Sequence, residues 1–319
     1  MNNLLDPSIL FFIFGVFAGL VKSNLEIPQP ITRFLSLYLL MALGLKGGFA
    51  LNKSGFTPEI ALSLGLAITI AVVIPLLGYH VLKQKLEKLD AAAIAATYGS
   101  ISAVTFITTT QVLDLHGIAY GGHMAAAMAL MESPAIIIAI ILANRARQHQ
   151  SISNTSPTSV SKVLHESFTD GGQLLLLGAL VVGLISGETG RQVMAPFSID
   201  LFKGLLAFFL LDMGLLAARS LGEVKDKPIV SLIYAIVAPP VHAMLALGLC
   251  RMTGVPLGDT ILLMLLAASA SYIAVPAVLR QAMPEVNPAL YMGMSLGITF
   301  PINIIIGIPL YSWIAQAIF

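Results

Sequence analysis

Two stretches of this chain carry hydroxyls in the middle of long uncharged runs. AAAIAATYGSISAVTFITTTQVL, residues 91–113, holds Gly99, Ser100, Ser102 and Thr105; ILLMLLAASASYIAVPAVL, residues 261–279, holds Ser269, Ser271 and Pro276. Small residues let a backbone and a solute approach closely, and hydroxyls supply neutral donors and acceptors. A helix broken at such a place also leaves free N–H groups that attract an anion and free carbonyls that can ligate a cation. The chemistry these residues suit is therefore the binding of a small ion or ion pair. The competing reading is packing, because Gly, Ala and Ser draw transmembrane helices together and hydroxyls can bond back to their own helix. For a lone serine packing is the better reading; for two clusters at matched positions a site is. Thr108, Thr109 and Thr110 extend the first hydroxyl run, but three adjacent residues cannot all face one cavity.

Ionisable groups inside apolar spans are costly and so suggest a role. Glu132 precedes Ser133-Pro134, and Asp212 lies inside FFLLDMGLL. Either could bind a cation or carry a proton, and either could instead accept a freed N–H or pair with Lys46. His242, after Pro239-Pro240, reads as a partner for a helix kink, and Asn303 as a polar group bonded to a neighbouring helix. His80, His116 and His123 have no metal-ligand spacing. The sequence offers no paired intramembrane carboxylates at fixed spacing and no activated nucleophile, so an enzyme is not expected. Cys250 is the only cysteine, which excludes an internal disulfide or a thiolate cluster.

These residues need helices to position them, and composition supplies the helices. Hydrophobic residues make up 57% of the 319 and charged residues 10%, with a mean hydropathy of +0.90, far from the soluble norm of about 25% charged. Ten spans are expected, at 9–20, 34–48, 60–82, 91–113, 121–142, 172–185, 201–218, 228–250, 261–279 and 289–318. The first begins without the basic region and cleavage site of a signal peptide. Tyr79, Tyr311 and Trp313 read as interface anchors. Residues 146–171 form a Ser/Thr-rich linker between a first half, 1–145, and a second, 172–319.

The halves resemble one another. Gly44 matches Gly214, Ser100 and Ser102 match Ser269 and Ser271, and Pro134 matches Pro301, at offsets of 170, 169 and 167. With five spans per half, the repeats must be inverted, and the fourth and ninth spans become a pair of interrupted helices. Loop charges orient the whole: 12 of the 17 Lys and Arg fall on the side of the linker. That places the linker in the cytoplasm and both termini outside. The net charge of +1 gives no hint of nucleic-acid binding.

The chain resembles the sodium-dependent bicarbonate transport permeases, cyanobacterial-type bicarbonate importers. The likeness rests on LGLKGG from Leu43, YGSISAVTF from Tyr98, MESPAIIIAIILAN from Met131, FKGLLAFFLLDMG from Phe202, APPVHAMLALGL from Ala238, AASASYIAVPAVLR from Ala267 and PEVNPALYMG from Pro284. It implies a core domain moving against a gate domain, a trimer, and a multi-pass protein of the bacterial plasma membrane. It also implies symport of bicarbonate with sodium as coupling ion, both bound between the interrupted helices. Gly99, Ser102, Thr105, Ser269 and Ser271 stand at the family's small and hydroxyl positions, and Glu132 at an acidic position that is usually Asp. The second motif of the relatives is a serine run followed by an aspartate; here Ala270 interrupts the run and Tyr272 takes the acidic position. The readings left open are another small organic anion as solute, or sodium/proton exchange through Glu132 and Asp212.

Overall fold

The computed structural model describes residues 6–55, 57–149, 165, 169–224 and 227–319. Most of the linker lies outside the described residues. Among the described residues these helices follow in order, with no strand: α1 (Pro7–Leu20), α2 (Gln29–Ser54), α3 (Pro58–Leu82), α4 (Lys88–Gly99), α5 (Ala103–Leu115), α6 (Met124–His149), α7 (Gly171–Ala195), α8 (Phe202–Gly222), α9 (Ile229–Thr253), α10 (Leu257–Ala268), α11 (Ala274–Ala282) and α12 (Pro288–Ile318). α7 runs on into a π turn at Pro196–Asp200, and α12 contains two more, at Gly293–Thr299 and Asn303–Gly307. Seven helical stretches among the described residues are long and apolar enough to cross a membrane. One of them, Gly171–Gly222, contains both α7 and α8.

Local sequence sets the helix ends. Proline occupies a first-turn position in α1, α2, α3 and α12, where its missing N–H costs nothing. The Asp6 carboxylate accepts from Ser8 N at 2.8 Å and caps α1. Gly254, left-handed at φ 78°, ends α9. Several spans outrun their expected limits: α2 begins at Gln29 rather than 34, and α7 is 25 residues long.

Glycines decide which helices lie closest. α1 carries Gly15 and Gly19, and α2 carries Gly44 and Gly48, each pair four residues apart. A Cβ on Gly15 would strike the Leu211 carbonyl of α8, and one on Gly48 the Leu180 carbonyl of α7. Gly214 of α8 and Gly183 of α7 return the contact, against Phe12 and Leu45 respectively. Backbones that approach this closely gain dispersion along their whole length, which is what joins helices in lipid. Thus α1 packs on α8 and α2 on α7. Around this group α3 packs on α4 and α6, α9 on α10, and α12 on α9 and α8.

Polar contacts close the ends. Arg147 of α6 forks onto both oxygens of Glu285, at 2.9 and 2.8 Å, and donates to the Ala282 carbonyl at 2.7 Å, tying α6 to the end of α11. This fork holds the Glu285 carboxyl below its usual range. His123, given no role by sequence, lies 3.3 Å from Asp259 at the start of α10. Trp313 is 67% exposed, whereas Tyr311 is 3% exposed and belongs to the core. Its position on α12 turns it inward, so the expectation of an interface anchor is corrected.

Candidate functional site

Both hydroxyl-rich stretches fold as a helix, a break and a second helix. α4 stops at Gly99 and α5 starts at Ala103; α10 stops at Ala268 and α11 starts at Ala274. Each hydroxyl cluster falls on its break. Small polar residues compete locally for backbone groups, which is why the helix yields there. Ser102 accepts from Thr105 N at 3.2 Å as the N-cap of α5, and Ser271 accepts from Val275 N at 3.2 Å in the first turn of α11. Ser269 donates to the Leu266 carbonyl at 2.8 Å.

The two breaks meet and exchange bonds. Ser102 N donates to the Ser269 hydroxyl at 3.0 Å, and Ser271 N donates to the Thr97 carbonyl at 2.8 Å. Asn303, on a π turn of α12, donates its amide to the Ala268 carbonyl at 2.8 Å. Free helix ends are thereby held opposite one another in an interior where unpaired backbone groups would be costly.

A cavity of about 460 Å³ reaches this crossing. Ser102, Ser271, Tyr272 and Glu132 all line it. Tyr272 packs its ring on Phe300, 5.2 Å between centroids, and points its hydroxyl towards Met213 of α8 at 3.9 Å. The Glu132 Oε2 is buried with no hydrogen-bond partner among the described residues.

The other expected site residues lie off the cavity. Thr105 is fully buried and bonds through its hydroxyl to Ser102 at 3.0 Å. Ser269 is consumed by the crossing. The Ser100 hydroxyl is buried without a partner among the described residues. A Cβ on Gly99 would lie 2.6 Å from the Pro75 ring, so its smallness serves the packing of α4 on α3. Thr108, Thr109 and Thr110 return their hydroxyls to the carbonyls of Val104, Thr105 and Ile107. Asp212 sits apart on α8, accepting from the Thr32 hydroxyl at 2.5 Å. Lys46 pairs with neither Asp212 nor Glu132 but with Asp114, at 3.7 Å.

Three charged or amide-bearing lining residues were missed from sequence. Arg33 falls within α2, four residues after the helix start, and Asp170 and Gln173 stand at the start of α7. The Asp170 carboxylate caps α7, accepting from Gly172 N and Gln173 N at 3.0 and 3.1 Å. The proline pair at 28 and 30 was the available signal that α2 begins early enough to carry Arg33 into the wall.

A family model, described as the Na+-dependent bicarbonate transporter superfamily, matches residues 7–316. The chain belongs to that superfamily. No match was found among curated proteins. Membership in the bicarbonate transporter superfamily, together with seven helical stretches long and apolar enough to cross a membrane among the described residues, makes the chain a multi-pass membrane protein of a transporter family. It points to sodium as the coupling ion and to transport in place of catalysis. Among the described residues no three His, Cys, Asp or Glu side chains gather as ligands for one metal ion.

Proposed function

We propose that this superfamily member is a secondary active permease that imports a small anion, bicarbonate first, by sodium-coupled alternating access. The observation that carries the reading is the crossing: two broken helices, bonded to each other through Ser102–Ser269 and Ser271–Thr97, at the end of a cavity lined by both. Helix N-termini at α5 and α11 favour an anion there, and carbonyl ends at α4 and α10 favour a cation. Sodium would travel as cargo on carbonyl and hydroxyl oxygens, with Glu132 as a buried carboxylate in the wall.

The arrangement supports ten spans in two inverted halves. Counting α4 with α5 and α10 with α11 gives ten, five on each side of the linker. The pairing of α2 with α7 and of α1 with α8 is what a two-fold relation between residues 1–145 and 172–319 would produce. α1, α2, α7 and α8 would then form the gate, and the remaining helices the moving core. The charge asymmetry of the loops supports a cytoplasmic linker in a bacterial inner membrane, and the resemblance a trimer.

A second reading is favoured by cavity size. A volume of about 460 Å³ falls among pockets for larger ligands, about 300–1,000 Å³, and bicarbonate has only four heavy atoms. A larger organic anion would use it more fully. Counterflow of labelled small anions, with and without sodium, separates the two: bicarbonate should exchange best and only with sodium. Exchange of organic anions alone would keep the mechanism and reject the substrate.

A further inference from the structure

A second cavity, of about 370 Å³, lies between the same two helices as the first, at their other ends. The first takes Arg33 and Ser36 from α2 and Ser102 and Ala103 from the start of α5; the second takes Lys46 and Ala50 from α2 and Asp114 from the end of α5. Thirteen residues of α2 separate Arg33 from Lys46, about 20 Å at the helical rise. The first cavity adjoins the linker side, through Asp170 and Gly171, so the second faces the opposite side.

The second cavity is crossed by one ion pair. The Lys46 ammonium stands 3.7 Å from the Asp114 carboxylate and 4.2 Å from the Phe202 ring centroid of α8. Lys46 thus belongs to the α1, α2, α7 and α8 group on which it packs, while Asp114 belongs to the other. Asp114 sits next to the last residue of α5, where the helix dipole disfavours a carboxylate; the lysine offsets this across the two helix groups, and the Tyr120 hydroxyl, in the same cavity wall, also bonds to the Asp114 carboxylate. Both groups are part-exposed, at 25% and 43%, which makes the pair weak enough to be broken and remade in each cycle.

From this geometry we infer that Lys46–Asp114 is the far-side gate of the transport cycle: it bridges the two helix groups while the linker-side cavity is open, and parts when α5 moves relative to α2. The inference rests on the transporter reading above. Its test does not need the substrate. In a Cys250→Ser background, Ala50→Cys reports the far-side cavity and Ser36→Cys the linker-side cavity, labelled in nanodiscs by a charged maleimide. Adding Lys46→Gln, or separately Asp114→Asn, should speed labelling at position 50 and slow it at position 36. The change should be about two- to fivefold, as expected for loss of a part-exposed ion pair. The exchanged pair, Lys46→Asp with Asp114→Lys, should return both rates towards those of the parent. Unchanged rates in both single variants, each shown folded by its melting temperature, would overturn the gate. Shifted rates without any sodium-driven uptake by the parent protein would leave the gate standing and remove the substrate assignment.

Discussion

Ser102 donates its backbone N–H to the hydroxyl of Ser269, 167 residues away, over 3.0 Å. Both residues are almost fully buried, at 3% and 1% exposure, so the bond fixes one helix break against the other where water cannot substitute. Ser269→Ala would leave that N–H unpaired, a loss of about 1–3 kcal/mol. A lowered melting temperature and a several-fold fall in uptake are expected, with Ser269→Thr retaining more of both.

Ser102 and Ser271 line the cavity; Ser102 also caps α5, and Ser271 accepts from Val275 N in the first turn of α11. Replacing both by leucine would remove these two bonds to the first turns of α5 and α11 and fill the end of the cavity that they line. Transport should be abolished while protein still reaches the membrane; full uptake by the double variant would remove these residues from the site.

How far the site was legible follows from what each residue does. The breaks were readable because Gly99, Ser100, Ser102, Ser269 and Ser271 interrupt uncharged runs, and hydroxyls weaken a helix wherever they fall. Which hydroxyls reach the cavity was not readable, since that depends on how α4 and α10 cross. Gly99 looked suited to solute approach and instead admits the Pro75 ring. Arg33 looked like a loop charge because hydropathy begins at Phe34, while the helix begins at Gln29. The glycine contacts of α1 with α8 and of α2 with α7 join the two halves of the chain, and short-range periodicity carries no record of such pairings.

Glu132 brings one unpartnered, buried carboxylate oxygen to the cavity wall. If it serves the cation, Glu132→Gln should keep its fold and lose most of the sodium stimulation of uptake. If Glu132→Gln alone ended transport and protons proved to be the coupling ion, the exchanger reading would gain at the expense of symport.

Gly48 lies against the Leu180 carbonyl of α7, leaving no room for a side chain. Gly48→Leu should separate α2 from α7 and cost about 1–3 kcal/mol as an overpacked contact. Thermal unfolding in detergent would read this, and Gly65→Leu, on open surface, serves as the control.

The Arg147 fork lowers the pKa of Glu285. A depressed carboxyl adds stability at pH values above its unfolded pKa, about 4.3, and loses it as pH falls through the lower folded value. Melting temperature should therefore decline on acidification, and Glu285→Gln should be less stable at neutral pH with a shallower acid decline. Equal pH slopes in the two proteins would show that the fork contributes nothing.

The most direct measurement is uptake of labelled bicarbonate into proteoliposomes under an imposed sodium gradient. Accumulation above the external concentration is expected, collapsing when sodium is replaced by potassium or when Ser102 and Ser271 are both leucine. Uptake that never exceeds equilibrium, or that proceeds equally without sodium, would contradict sodium-coupled import at the crossing of the two broken helices.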